Sequence, residues 1–286
     1  MESYLLGLYE KSMPNSLTIR EKLEAAKKAG FDYMELSIDE TDEKLSRLEW
    51  KDEEIFKLLT DIYETGIPIK SICLSGHRKY PLGHLDKEMQ KKSLDIMEKA
   101  IALAEKLGVR IIQIAGYDVY YTESTEETRA IFAKNLKASV EMAAKKGIIL
   151  AFETMETEFI NTVGKANQWV VQMDSPYLQI YPDIGNITNA AKVYGTDVLE
   201  DLRSGAGHIC ALHLKETVPN VFREVPYGTG HVDFPNAIAT AYELGVRLFV
   251  GEFWHLGEEN WPGVLKDNNL FLRDNIKKGM EIINCN

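Results

Sequence analysis

The chain is 286 residues long, is 45% hydrophobic and carries a formal net charge of -11 at pH 7. That is ample for a large core, leaves no basic patch for nucleic acid or an anionic membrane, and no apolar run approaches the roughly 20 residues of a membrane span. Cys73, Cys210 and Cys285 lack CxxC spacing, and the opening MESYLLGLYEK is too acidic and too short in its apolar part for a signal peptide, so a cytoplasmic protein without disulfides or a zinc knuckle is expected.

In chain order, YLLGLYE is the first strand candidate. KKAGFDYMELS and YETGIPIKSICLS follow, each with a glycine after a charged, helix-favouring run and before a short apolar one. Glycine fits the left-handed position that ends a helix, and the apolar run after it reads as a strand buried on both faces. The amphipathic stretch LDIMEKAIALAEKL leads to the same joint in EKLGVRIIQIAG, and IFAKNLKASVEMAAK leads to AKKGIILAFE. YLQIYPD is a strand without the joint, while SGAGHICALHL and YELGVRLFVGE repeat it. Eight strand–helix units, no GxGxxG after the first strand and no Pro/Gly-rich linker predict an α/β fold, a (β/α)8 barrel forming a single domain over 1–286.

Such a barrel builds its active site where strands finish. The predicted ends are Tyr9-Glu10-Lys11, Glu35, Ser75-Gly76-His77, Gly116-Tyr117-Asp118, Glu153, Asp183, His213 and Glu252. A single strand-end carboxylate is ordinarily just solvated. Glu153, Asp183, His213 and Glu252, however, end four consecutive strands, and three carboxylates with one imidazole suit one divalent cation such as Mn²⁺, Zn²⁺ or Mg²⁺. Without a cation, three clustered acids would repel one another. His208 starts its strand on the far face, and His84, His231 and His255 fall in loops, so these are expected to be structural or solvated. His77, beside Arg78 and Lys79, is placed to meet an anionic substrate.

GLYEKSMP, SIDETDEKLSRLEW, CLSGHRKYPLG, QIAGYDVYY, FETM, YPDIGN, HLKET and FREVPYGTGHVDF together resemble the L-ribulose-5-phosphate 3-epimerases, also called L-xylulose-5-phosphate 3-epimerases, of pentose and ascorbate catabolism. The resemblance covers nearly the whole chain and places it among the xylose-isomerase-like barrels. It implies metal ligands at Glu153, Asp183, His213 and Glu252, with Glu153 and Glu252 also the acid/base pair, and a homodimer. It puts Asn186 where related ketose 3-epimerases have a substrate-contacting histidine. The eighth strand departs from the IEMW-like end expected of the family, reading GEFWHLGEENW.

The implied reaction interconverts L-ribulose 5-phosphate and L-xylulose 5-phosphate through a cis-enediolate. The carbonyl is polarised by the cation, one glutamate takes the C3 proton and the other returns it from the opposite face. A phosphate needs cations, and Lys11, His77, Arg78, Lys79, Lys215 and Arg223 are available on the rim; the loop carrying Lys215 and Arg223 is long enough to fold over substrate. The rival on the same barrel is a metal-dependent aldose–ketose isomerase of a sugar phosphate, resembling hexulose-6-phosphate isomerases. A nuclease resembling endonuclease IV is disfavoured by too few strand-end histidines and by the net charge.

Overall fold

The computed structural model describes residues 4–285, which form strands β1 (Leu5–Tyr9), β2 (Tyr33–Ile38), β3 (Ile69–Leu74), β4 (Ile111–Ala115), β5 (Ile149–Glu153), β6 (Leu178–Ile180), β7 (Leu212–Leu214) and β8 (Leu248–Gly251). The helices between and after them are α1 (Ile19–Ala29), α2 (Asp42–Leu45), α3 (Asp52–Thr65), α4 (Lys87–Leu107), α5 (Glu126–Lys146), α6 (Val163–Met173), α7 (Ile184–Tyr194), α8 (Val198–Ser204), α9 (Phe234–Glu243) and α10 (Trp261–Cys285). All strand pairs are parallel, in the order β6-β5-β4-β3-β2-β1-β8-β7. The two edges meet through the bridges Ile180–Ile209 and Asp183–His213, with Ile180 N–H donating to His208 O at 2.8 Å and Cys210 N–H to Ile180 O at 3.0 Å. The sheet therefore closes into the expected (β/α)8 barrel. Among the described residues no helix is long and apolar enough to cross a membrane.

The repeated joint has the predicted backbone. Gly30, Gly66, Gly108 and Gly147 end α1, α3, α4 and α5 at φ between 65° and 92°, and Gly207 and Gly245 also have positive φ. The unit without the glycine ends α6 at Asp174, which adopts the same left-handed conformation at φ 46°. Aspartate enters that region more readily than other side chains, so the joint is present there without its sequence mark.

Two apolar shells follow from the alternation of side chains along each strand. The outer shell, including Leu8, Leu36, Ile72, Ile112, Phe152, Leu212 and Phe249, packs between strands and helices. The smaller inner one is Tyr9, Tyr33, Cys73, Ile111, Ala151, Tyr181, Ala211 and Val250. Inner residues fix what lies above them, because the residue two further on points into the same space. Counting two from Ala151, Tyr181, Ala211 and Val250 gives Glu153, Asp183, His213 and Glu252.

Candidate metal centre and active-site cleft

The barrel's hydrogen-bond ladder sets these four side by side. Asp183 bridges His213 in parallel register, and Glu252 N–H donates to Leu214 O at 3.0 Å. Thr154 Oγ1 accepts from Asp183 N–H at 3.0 Å, so the residue after Glu153 also anchors Asp183. Asp183 caps α7, its Oδ1 accepting from Asn186 N–H at 2.7 Å. Gly116 lets β4 and β5 approach closely here, since a Cβ on it would stand 2.5 Å from Glu153 O.

One donor atom from each of Glu153, Asp183, His213 and Glu252 lies within 4.8 Å of the others, and all four residues are buried. His213 Nδ1 faces the carboxylates, 3.0 Å from Glu252 Oε2, 3.6 Å from Glu153 Oε1 and 4.0 Å from Asp183 Oδ2. Its other nitrogen, Nε2, donates to Glu35 Oε1 at 2.7 Å. Glu35 is in turn held by Ser71 Oγ at 2.6 Å and Tyr181 OH at 3.0 Å, and Tyr181 packs edge-on against the imidazole with ring centroids 4.9 Å apart. A carboxylate behind a histidine is the arrangement that fixes ring orientation and raises ligand basicity at metal sites.

Burial, and then repulsion from Glu252, pushes the Glu153 carboxyl up. Burial likewise pushes Asp183 up, against the opposing effect of Lys215. Burial would raise Glu252 too, but Lys215 and His213 outweigh it and hold it well below the usual carboxylate range. Burial opposes the charge on His213, yet Glu35 and Glu252 drive its pKa up. Lys215 Nζ lies 3.0 Å from Asp183 Oδ2 and 3.6 Å from Glu252 Oε2. Even so, Asp183 Oδ2 is buried and accepts no hydrogen bond in good geometry. Crowded carboxylates, an imidazole nitrogen aimed at them and a buried carboxylate oxygen without a hydrogen bond are a donor set that fits a divalent cation.

A cleft opens over this centre, lined in part by Tyr9, Lys11, Arg78, Glu156, Asn186 and Trp254. Asn186 donates to Thr154 O at 2.7 Å while its Oδ1 is buried and unpartnered. Lys11 pairs with Asp39, and Arg223 Nη2 pairs with Glu156 at 2.9 Å. Lys215 is a buried residue directly after β7, not the loop charge its sequence context suggests. The long loop beyond it is tied down by Glu216, whose carboxylate accepts from the N–H groups of Thr217, Gly228 and Val232 at 3.1–3.2 Å.

Three strand-end expectations are corrected. Glu35 lies mid-strand, inside the barrel under His213. Glu10 follows the inward Tyr9 and so faces outward, buried against Lys22, Lys44 and Arg47. His77 is buried too and turns away from the cleft toward α4, its Nε2 3.0 Å from Ser93 O, because the helical turn Ser75–Arg78 breaks the strand's alternation. The loop histidines are locally bonded: His84 Nδ1 accepts from Asp86 N–H, His231 Nε2 meets Thr217 Oγ1, and His255 Nδ1 lies 3.1 Å from Glu258. Gln113, whose Nε2 is 3.2 Å from both His213 nitrogens, and the Tyr120–Glu156 pair carry no sequence mark that sets them apart.

His77 yields a stability prediction. Burial lowers its pKa to about 4, so folding demands the neutral ring. Stability is then complete above the unfolded value of about 6.5 and is lost as pH falls from there toward 4, at about 1.4 kcal/mol per pH unit. Between pH 7 and pH 5, wild type should lose roughly 2 kcal/mol more than His77→Gln in urea unfolding. Equal pH dependence in the two proteins would contradict a buried neutral ring.

The family model for the xylose isomerase-like TIM barrel matches residues 23–275. The chain is 45% identical over 240 residues, 84% of its length and 83% of the relative's, to L-ribulose-5-phosphate 3-epimerase UlaE of Escherichia coli (strain SMS-3-5 / SECEC). The chain belongs to the L-ribulose-5-phosphate 3-epimerase family of xylose isomerase-like TIM barrels. Its fold is also that of a solved L-ribulose 3-epimerase, with a TM-score of 0.79 at 18% identity, covering 99% of this chain and 97% of the other. A xylose isomerase-like TIM barrel protein from Mycobacterium smegmatis, solved in complex with magnesium, matches at a TM-score of 0.69 and 17% identity, covering 98% and 100%.

Proposed function

We propose that this protein is a 3-epimerase interconverting L-ribulose 5-phosphate and L-xylulose 5-phosphate with one bound divalent ion. The observation that carries the reading is the four-donor cluster at the barrel mouth, in a chain 45% identical to enzymes named for that reaction. Glu153, Asp183, His213 and Glu252 would hold the ion, which when bound supplies Lewis-acid polarisation of the ketose carbonyl.

The remaining work belongs to the chain. Glu153 ends β5 and Glu252 follows β8, so the two carboxylates reach the cleft from separate arcs of the barrel and each addresses one face of C3. One removes the C3 proton and the other delivers a proton to the opposite face, which inverts the centre. Glu35 holds the His213 ring in place from below. Asn186 Oδ1, buried and without a partner, accepts a hydrogen bond from a substrate hydroxyl. Lys215 offsets part of the carboxylate charge.

Incubation with L-ribulose 5-phosphate and identification of the product tests this reading. L-xylulose 5-phosphate is expected; an aldopentose phosphate would replace the epimerase by an aldose–ketose isomerase.

A further inference from the structure

We propose that Lys215 is a built-in cation of the metal centre, sharing Asp183 and Glu252 with the divalent ion so that the ion is held less tightly and the loaded site keeps no net negative charge; the proposal rests on the metal-dependent epimerase reading above. The oxygens that face His213 Nδ1 also face the lysine. Asp183 Oδ2 and Glu252 Oε2 lie 4.0 and 3.0 Å from that nitrogen, and 3.0 and 3.6 Å from Lys215 Nζ. Ion and ammonium therefore draw on the same two carboxylate oxygens. Among the described residues no other lysine or arginine is paired with Glu153, Asp183 or Glu252; in the cleft, Lys11 pairs with Asp39 and Arg223 with Glu156.

Local structure fixes the ammonium there. Lys215 is buried and directly follows β7, two residues beyond His213. Its carbonyl packs against the start of α7, where a Cβ on Gly185 would stand 2.9 Å from Lys215 O and 3.2 Å from Asp183 Oδ1. The next residue, Glu216, is tied to the N–H groups of Thr217, Gly228 and Val232, so the backbone beyond the lysine is pinned as well. Nζ also lies 5.9 Å from the centroid of the Trp254 ring, a face that favours a cation.

Three carboxylates can carry one negative charge more than a divalent ion neutralises, and the ammonium makes up the difference. Unbalanced charge in a buried site is costly, and the charge that develops on the substrate when its C3 proton leaves is itself negative. A centre without net negative charge receives it free of the repulsion an unbalanced carboxylate would exert. Metal affinity suffers in return, because an ammonium and a divalent ion a few ångström apart repel each other. Lys215 is thus a positioning residue that acts on the reaction through the ligands. Its removal should move metal affinity and turnover in opposite directions.

The test compares wild type with Lys215→Met and Lys215→Arg. In calorimetric titration with Mn²⁺, Lys215→Met should bind the ion about 10-fold or more tightly than wild type, the scale of ammonium–divalent repulsion even at the dielectric of water. With Mn²⁺ saturating, its kcat for L-ribulose 5-phosphate should fall by about 10-fold or more while KM moves less. Lys215→Arg keeps the charge and should stay close to wild type in metal affinity. Should Lys215→Met be less stable, the rise in its unfolding temperature on adding Mn²⁺ remains readable, and is expected to exceed that of wild type. Unchanged or weaker metal binding in Lys215→Met, or tighter binding with undiminished kcat, would overturn the proposal. So would equal tightening in Lys215→Arg, which would trace the gain to packing rather than charge. Tighter binding by Lys215→Met, in a protein whose wild type turns over no ketose phosphate, would instead leave the charge sharing standing and sink the epimerase reading.

Discussion

Glu153→Gln and Glu252→Gln are each expected to slow C3 epimerisation by about 10³-fold or more, the scale of losing a positioned proton-transfer group, with further loss if the metal is weakened. The two residues come from different strands and act at different moments of one turnover, so neither substitutes for the other. Both are also proposed ligands, and an amide coordinates poorly, so metal content must be measured in the same samples. A variant with metal bound retains one of the two bases. It should therefore exchange the C3 hydrogen of one epimer with solvent without converting it, and the other variant should exchange only the opposite epimer. Near wild-type interconversion by either metal-loaded variant would defeat the two-base account.

Glu10→Gln should produce the largest loss of stability. Glu10 is fully buried, and its two oxygens accept from Lys22 Nζ at 2.9 Å, Lys44 Nζ at 2.6 Å, Arg47 Nη1 at 2.6 Å and Nη2 at 2.7 Å, and Ser37 N–H at 2.9 Å. Burial alone would raise the carboxyl, but Arg47, followed by Lys22 and Lys44, holds it well below the usual range. One carboxylate thus balances three buried cations at the point where β1, β2, α1 and α2 meet. Removing its charge leaves those cations facing one another, and unpairing a buried charge costs about 3–5 kcal/mol. Urea unfolding at pH 7 measures this; a loss below about 1 kcal/mol would show that water reaches the cluster. A depressed carboxyl stabilises the fold fully above its unfolded pKa of about 4.3, and that contribution is lost progressively as pH falls from there toward the folded value, so the gap between wild type and variant should be constant at neutral pH and narrow below about pH 4.

How far the sequence could be read follows from strand periodicity. Glu153, Asp183, His213 and Glu252 were legible because each sits at the carboxyl end of an apolar run and two residues beyond an inward side chain. The same parity stops at Tyr9, because Glu10–Ser12 is a helical turn in which Lys11 lines the cleft and its neighbour Glu10 faces out. It also puts Glu35 inward, two after Tyr33, but β2 continues to Ile38, so Glu35 lies below the rim and supports His213. A strand's last residue cannot be fixed by local pattern, and one unit of length decides between ligand and support. His77 misled because the chain leaves extended geometry at Ser75. The Tyr120–Glu156–Arg223 contact was beyond reach, since its members come from loops after β4, β5 and β7 and only tertiary packing brings them together.

The central claim, a metal-assisted proton transfer at C3, is tested most directly by incubating the enzyme in D₂O with L-ribulose 5-phosphate and reading deuterium at each carbon by NMR. The account predicts deuterium at C3 of the L-xylulose 5-phosphate formed, none at C1, loss of the signal with chelator and recovery when a divalent ion is restored. Incorporation at C1, or C3 exchange that persists in fully chelated enzyme, would contradict it.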